Sequence, residues 1–240
     1  STGHMILLDE FVKLNVSKEF LDLFLVVIQL GAILAVVVIY WNKLIPLSTK
    51  HGLHISRRKC KMWVKIIVAS IPAGVVGILW DDVFTKYFYN YQTVAIMLIL
   101  VGIVFIFVER ANKNKVARVD SIDDISYGQA FLIGVFQMIA AIFPGTSRSG
   151  STIVGSLMLG ISRTAAAEFT FFLAVPAMFG GSAIKILKYS GGFNSAEVAL
   201  LAIGMIVAFV LSIIAIKFLM SYIKKHDFKV FGWYRIVLGI

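Results

Sequence analysis

Long apolar runs separated by short polar stretches divide the chain from residue 20 onward. An α-helix needs about 20 apolar residues to cross a bilayer, and five of the runs are long enough to do so. They are Phe20–Trp41, Trp63–Trp80, Tyr91–Val108, Ala165–Leu187 and Val198–Met220. A sixth run, from Val230 to Ile240, is too short to span. The pattern predicts an all-α polytopic membrane protein.

Composition and charge support this class and exclude others. Of the 240 residues, 59% are hydrophobic and 15% are charged, and the mean hydropathy is +0.89, outside the range of water-soluble domains. The net charge of +10 lies in short basic blocks between the apolar runs, which argues against a nucleic-acid partner. The single cysteine, Cys60, excludes an intrachain disulfide and a multi-cysteine metal cluster.

The basic blocks also orient the spans. Lysines and arginines are frequent in residues 42–62, after Glu109 and in residues 224–229, so we expect these loops to be cytoplasmic. The chain is then inside at both Arg118 and Arg163, and the segment Ser126–Ser162 must enter and leave the membrane on one side. Its first arm, Ser126–Phe143, allows a helix of about 27 Å, but its second arm, Ile153–Ile161, allows only about 14 Å, too short to cross. We therefore expect a re-entrant helical hairpin.

The tip of this hairpin, PGTSRSGST at Pro144–Thr152, has the composition of an anion site. An ionisable residue such as Arg148 is costly inside a membrane and is usually functional there. Its guanidinium can bind two phosphoryl oxygens, and glycines such as Gly145 let the backbone approach a ligand. Hydroxyl groups at the start of the following helix can also bind an anion. These hydroxyls belong to Ser147, Ser149, Ser151 and Thr152. The alternative is that these hydroxyls only cap the helix and that Arg148 pairs with a carboxylate.

Weak internal similarity suggests a repeat. Phe24–Val37 aligns with Phe169–Ser182, and each follows a hydroxyl-rich stretch, STGH at residues 1–4 and SRSG at residues 147–150. The charge pattern sends the two aligned segments across the membrane in opposite directions, as in inverted-topology repeats. We therefore expect a single membrane domain over 1–240, with repeat 1 at about 1–109 and repeat 2 at about 126–240. Each repeat would contain a re-entrant hairpin and transmembrane helices.

The chain resembles the bacterial undecaprenyl pyrophosphate phosphatase family of the bacitracin-resistance type. The stretches that carry the resemblance are PGTSRSGST, GISRTAAAEFTFFLAVP at Gly160–Pro176, STGHMIL at Ser1–Leu7 and VIQLGAILAVV at Val27–Val37. The resemblance implies a multi-pass hydrolase of the bacterial plasma (inner) membrane whose site opens to the external face. Such an enzyme converts undecaprenyl pyrophosphate to the monophosphate carrier of peptidoglycan and cell-wall synthesis, supports cell shape and confers bacitracin resistance.

The resemblance also assigns site residues. Arg148, Ser147 and Thr152 match pyrophosphate-binding positions, with Ser149, Ser151 and Gly145 beside them. His4 and Ser1 match the first re-entrant loop and are expected to be catalytic with Arg148. Whether His4 is a general base or becomes a phosphohistidine, and whether Ser1 is the nucleophile or a ligand, is left open. Gln137 is an expected substrate contact, with helix packing as its alternative.

A divalent cation, Mg²⁺ or Ca²⁺, is expected to assist. In the family a pair of glutamates four residues apart precedes the first loop, and such a pair lies on one helix face. This chain begins after that position, at Ser1, so we expect no metal ligands within it and expect further segments at both ends. The expected partners are the polyprenyl pyrophosphate substrate and membrane lipids, and a homodimer is left open.

Two rival classes share some of these features. A polyprenyl-phosphate flippase or secondary transporter would also show inverted repeats and an anion site near the membrane midplane, and phosphate release would distinguish it. The acid-phosphatase-like lipid phosphatases have a histidine several residues after the arginine. Here SGSTIVGSLMLGIS follows Arg148 without one, which argues against that class.

Overall fold

The fold is described from a computed structural model of the chain. The structure describes residues 16–48, 54–88 and 90–240, and most of these are helical. The helices are α1 Lys18–Ile39, α2 Trp41–Leu44, α3 Arg57–Phe88, α4 Tyr91–Ala111, α5 Tyr127–Ile142, α6 Arg148–Met158, α7 Arg163–Lys188, α8 Ser195–Ile223 and α9 Lys229–Gly239. Two antiparallel two-residue strands, β1 Leu47–Ser48 and β2 His54–Ile55, separate α2 from α3. A single 3₁₀ turn, Ile122–Asp124, precedes α5.

Five of these helices, α1, α3, α4, α7 and α8, are long and apolar enough to cross a membrane. They coincide with the five predicted spans, so the all-α polytopic class is confirmed. Helix α3 begins at Arg57 instead of Trp63, because the lysines and arginines before the apolar run are themselves good helix formers. Short polar side chains accept hydrogen bonds from first-turn amides and set several helix starts. They are Ser17, Asn90, Ser126 and Ser147.

Internal contacts divide the described chain into two units. The first unit contains residues 56–170 and 220–240, and the second contains residues 16–48, 54–55 and 171–219. Each unit contains parts of both predicted repeats. The boundaries of the two repeats therefore stay a prediction.

In the second unit, α1 runs antiparallel to α7. The Ser182 hydroxyl lies 3.3 Å from the Val26 carbonyl oxygen, and the Tyr40 ring meets the Phe172 ring edge-on with centroids 5.1 Å apart. Helix α8 touches α1 through the backbone, since a Cβ at Gly31 would lie only 2.2 Å from the Met205 carbonyl oxygen. The two aligned segments of the predicted repeat thus point in opposite directions.

In the first unit, α5 and α6 form a helical hairpin. They pack so closely that a Cβ at Gly155 would lie 2.4 Å from the Phe136 ring. The two ends of the hairpin meet, because the Arg118 N–H donates to the Gly160 carbonyl and the Ser162 N–H donates to the Val119 carbonyl, both at 2.8 Å. The turn at residues 143–147 lies at the opposite end of the hairpin from these bonds.

Helix α9 packs antiparallel along α4 in the same unit. The backbones touch where a Cβ at Gly102 would lie 2.7 Å from the Gly232 carbonyl oxygen. The start of α9 is fixed by Glu109, which is 1% exposed and accepts hydrogen bonds from the Phe228 N–H and from Arg163 Nε, both at 3.0 Å. This packing brings the side chain of Arg235 to the hairpin tip.

Candidate active site

The turn between α5 and α6 is held against α4 by glycine and threonine. Gly145 has a φ of +88°, a conformation that favours glycine, and a Cβ there would lie 2.6 Å from the Val94 carbonyl oxygen. Thr146 is 1% exposed, and its hydroxyl donates to the Phe143 carbonyl at 2.7 Å. Both constraints fix the path of the backbone into α6.

Ser147 adopts a left-handed conformation, with a φ of +65°, which is uncommon for a residue other than glycine. Its side chain accepts a hydrogen bond from the Gly150 N–H at 3.2 Å and lies 3.3 Å from the Ser149 hydroxyl. Strained backbone of this kind clusters at ligand sites and persists where neighbouring bonds over-determine it. Here the Ser147 cap fixes the start of α6.

Arg148 is the first residue of α6 and is half-buried. The N-terminus of a helix carries partial positive charge and favours an anion, and Arg148 adds a charged residue to the same first turn. The structure places Gly145, Ser147, Arg148 and Ser149 in the turn and at the start of α6. Their role in binding stays a prediction. These donors suit a phosphate.

Thr152 and Ser151 point into the packed interior. The Thr152 hydroxyl lies 3.1 Å from the carbonyl oxygens of Arg148 and Ser149 and 2.9 Å from the Thr170 hydroxyl, and the residue is 1% exposed. Ser151 is 6% exposed. Thr152 therefore supports the first turn of α6 from inside, and its hydroxyl joins that turn to α7.

The other predicted site residues lie elsewhere. Gln137 is on α5 and is 5% exposed, and among the residues that the structure describes no hydrogen bond joins it to the turn. His4 and Ser1 fall outside the described residues, so their positions and roles stay predictions.

A second arginine meets the turn from α9. Arg235 Nη1 donates to the Thr146 carbonyl at 3.2 Å, and its guanidinium carbon lies 5.6 Å from the centre of the Phe105 ring. A Cβ at Gly150 would lie 2.9 Å from Arg235 Nη2, so the guanidinium rests directly on the α6 backbone. The guanidinium of Arg235 therefore contacts the turn, and Arg148 is the first residue of the helix that follows it.

The described residues do not fit a divalent cation at this place. Within ranges 16–48, 54–88 and 90–240, no three His, Cys, Asp or Glu side chains are grouped as metal ligands. Mg²⁺ and Ca²⁺ are held mainly by carboxylate and carbonyl oxygens, whereas the turn presents guanidinium and hydroxyl groups. The expected cation therefore has no ligand set among these residues.

Comparison with known proteins identifies the family. The model of the family described as bacitracin resistance protein BacA matches residues 1–240. The chain belongs to this family. It is 63% identical over 240 residues to the undecaprenyl-diphosphatase of Desulfitobacterium hafniense, covering 100% of this chain and 86% of the relative. Undecaprenyl-diphosphatase 1 of Clostridium acetobutylicum is 60% identical over 239 residues, covering 100% of the chain and 87% of the relative. An undecaprenyl-diphosphatase of Enterococcus faecalis is 57% identical over 242 residues, with coverages of 100% and 87%.

The BacA family membership confirms the resemblance that the sequence motifs predict. The sequence did not point to two residues, Arg235 beside the turn and Thr170 beside the first turn of α6. Arg235 could have been found as a charged residue inside the short apolar run at Val230–Ile240, by the same argument that selected Arg148. Thr170 is a polar residue within the apolar α7, and no sequence signal pairs it with Thr152.

Proposed function

We propose that this BacA-family chain hydrolyses undecaprenyl pyrophosphate to undecaprenyl phosphate and inorganic phosphate, with the pyrophosphate held at the α5–α6 turn. Relatives that match all of this chain at 57–63% identity carry the name undecaprenyl-diphosphatase. The observation that carries the proposal for the site is the pair of arginines, Arg148 and Arg235, at a turn with a capped helix N-terminus. An arginine inside a membrane is costly and is usually functional there.

The chemistry needs positive charge around the pyrophosphate. Attack on the terminal phosphorus forms a new P–O bond and breaks the bond to the bridging oxygen, which leaves on the lipid monophosphate. Negative charge develops on that oxygen, so fixed donors aimed at it lower the barrier. The guanidinium groups of Arg148 and Arg235 would bind phosphoryl oxygens in this way, and the Ser147 and Ser149 hydroxyls would complete the shell. Thr152 and Thr170 would keep the first turn of α6 in place.

The nucleophile and the base are proposed only by resemblance. His4 and Ser1 are the candidates, with water as the alternative nucleophile. The same holds for the Mg²⁺ or Ca²⁺ ion, for which the described residues provide no ligand set. Gln137 stays a candidate substrate contact, reached from α5.

The membrane placement extends the same proposal. Residues 118–119 and 160–162 are hydrogen-bonded to each other, which supports a hairpin that enters and leaves on one side. The basic loop after Glu109 supports a cytoplasmic position for that end. The turn with Arg148 would then lie at depth in the bacterial inner membrane and open to the external side, where the lipid pyrophosphate is dephosphorylated.

Release of inorganic phosphate tests the enzyme against the transporter. The full-length protein in detergent would be incubated with C55 or C15 isoprenyl pyrophosphate in the presence of Mg²⁺, of Ca²⁺ or of EDTA, and binding of the lipid would be measured on the same sample. We expect phosphate release that EDTA abolishes. Tight lipid binding without release, by a folded sample supplied with metal, would contradict hydrolysis and favour a flippase.

A further inference from the structure

A second concave site lies far from the arginine pair, at the other end of the α5–α6 hairpin. We call it the basic pocket. It is a cavity of about 360 Å³. Its walls are formed by residues 112, 115–118 and 157–163. The pocket begins where α4 ends, at Ala111, and α4 is one of the spanning helices. The pocket is therefore at the boundary between the membrane and water.

The frame of the basic pocket is rigid. The Gly160 carbonyl accepts hydrogen bonds from the N–H groups of Arg118 at 2.8 Å and Val119 at 3.3 Å. Gly160 has a φ of +78°, and a Cβ there would lie 3.5 Å from Cδ of Arg118, so the stem of that arginine lies against the turn. The Asn112 side chain donates to the Leu157 carbonyl at 3.2 Å and fixes the opposite wall. A preformed cavity costs a ligand little ordering free energy.

The charge of the pocket is positive. Lys115, Arg118 and Arg163 line it, and no carboxylate does. Two acidic groups lie near Arg163. Glu109 accepts a hydrogen bond from that arginine, and Asp227 forms an ion pair with Lys229 at 2.7 Å. Lys115 and Arg118 are both exposed and leave a net positive charge for a ligand.

Apolar side chains stand beside these cations. Val116 is 90% exposed and Met158 is 58% exposed, and both line the pocket. A phospholipid offers the matching chemistry, with an anionic phosphate next to a glycerol and acyl region. Basic pockets next to membrane helices are suited to anionic head groups. We propose that the basic pocket binds the phosphate head group of an anionic phospholipid, through Lys115 and Arg118.

The test compares two double variants that remove the same charge from the same region. The first is Lys115→Gln with Arg118→Gln, within the pocket. The control is Arg110→Gln with Lys113→Gln, two exposed residues that do not line it. Each full-length protein would be reconstituted in phosphatidylcholine vesicles, and its preference for fluorescent phosphatidylglycerol over fluorescent phosphatidylcholine would be measured. Thermal denaturation and phosphate release would be recorded for each variant.

We expect the pocket double variant to lose about tenfold or more of the preference for phosphatidylglycerol, and the control to lose less than about threefold. Equal losses in both doubles would show general surface attraction and would overturn the site. Displacement of phosphatidylglycerol by inorganic phosphate at a similar concentration would overturn the assignment to a lipid. Arg118→Lys, which keeps the charge, should retain the preference, and its loss in that folded variant would count against the proposal. None of these outcomes depends on hydrolysis at the arginine pair.

Discussion

Gly150 is the point at which the hairpin tip touches Arg235, so a methyl group placed there tests whether that arginine acts in hydrolysis. In Gly150→Ala the new Cβ would lie 2.9 Å from Nη2 and 3.2 Å from Cζ of Arg235, and 3.3 Å from the Phe105 ring. The nearest atom is at the end of a flexible side chain. We therefore expect the guanidinium to move away while the backbone of α6 stays in place.

The expected losses in stability and in activity differ. Moving Arg235 breaks its 3.2 Å hydrogen bond to the Thr146 carbonyl, and a bond from a charged donor contributes about 1.5–3 kcal/mol. Alanine in a helix regains about 1 kcal/mol relative to glycine. The free energy of unfolding should thus fall by only about 0.5–2 kcal/mol. If Arg235 binds a phosphoryl oxygen in the transition state, kcat/KM should fall about 100-fold or more, as for the loss of one oxyanion donor.

The assay is phosphate release from an isoprenyl pyrophosphate, with thermal denaturation in detergent on the same preparations. Gly74→Ala is the matched control, because no atom lies within 4 Å of a Cβ at that helical glycine. Arg235→Met should lose activity at least as strongly as Gly150→Ala, and Arg235→Lys should recover only part of it, since an ammonium cannot bind two oxygens side by side. A folded Arg235→Met protein with unchanged kcat/KM would refute the reasoning.

Other perturbations test the support of the site. Glu109→Gln should lower the free energy of unfolding by about 1.5–3 kcal/mol, because it weakens charge-assisted hydrogen bonds from Arg163 and from the Phe228 N–H. The exposed Glu19→Gln should change it by less than about 0.5 kcal/mol, and equal melting shifts in detergent would contradict this. Thr170→Val should lower kcat about fivefold to tenfold, because it removes the hydroxyl contact with Thr152 that holds the first turn of α6. Thr170→Ser keeps a hydroxyl and should retain the normal kcat. A serine variant as slow as the valine variant would show that Thr170 acts by packing and not by its hydroxyl. A hydrogen bond from Arg58 holds the pKa of the Asp123 carboxyl below its ordinary value. The contribution of this carboxylate to the free energy of unfolding is therefore present above about pH 4 and is lost as the pH falls through the lowered pKa. In Asp123→Asn the melting temperature should therefore depend less on pH between about pH 3 and 5, and the free energy of unfolding should change by less than about 1 kcal/mol. An equal effect of the exposed Asp120→Asn would contradict the assignment.

The spans and the hairpin could be predicted because they rest on local properties of the chain. A run of about 20 apolar residues needs a helix in a bilayer whatever the rest of the protein does. The second arm is short, as predicted, but α6 runs from Arg148 to Met158 where the sequence predicts Ile153–Ile161, because the Ser147 cap starts the helix earlier. The re-entrant course of the hairpin stays a prediction. Gly145, Ser147 and Ser149 could be predicted to lie close together, since they follow one another along a single turn. Their contact with phosphate stays a prediction.

Features that depend on long-range packing could not be predicted. Arg235 reaches the turn only because α9 lies backbone to backbone on α4 at Gly102, and nothing local to residues 230–240 specifies that partner. The inward direction of Thr152 depends on the helical phase of α6, which is set by the left-handed Ser147. A capping serine with positive φ is not apparent from the letters SRS, so the sequence does not show that the Thr152 hydroxyl faces Thr170. The substrate contact of Thr152 stays a prediction.

Turnover by Arg148 variants tests the central claim most directly. Steady-state phosphate release from the C55 pyrophosphate would be measured for the full-length protein with Arg148 unchanged, with Arg148→Lys and with Arg148→Ala, each shown to be folded by its melting curve. The account predicts that alanine abolishes turnover and that lysine, which keeps the charge but not the guanidinium fork, restores only a small part of it. A folded Arg148→Ala protein that hydrolyses the lipid at the normal rate would contradict the account.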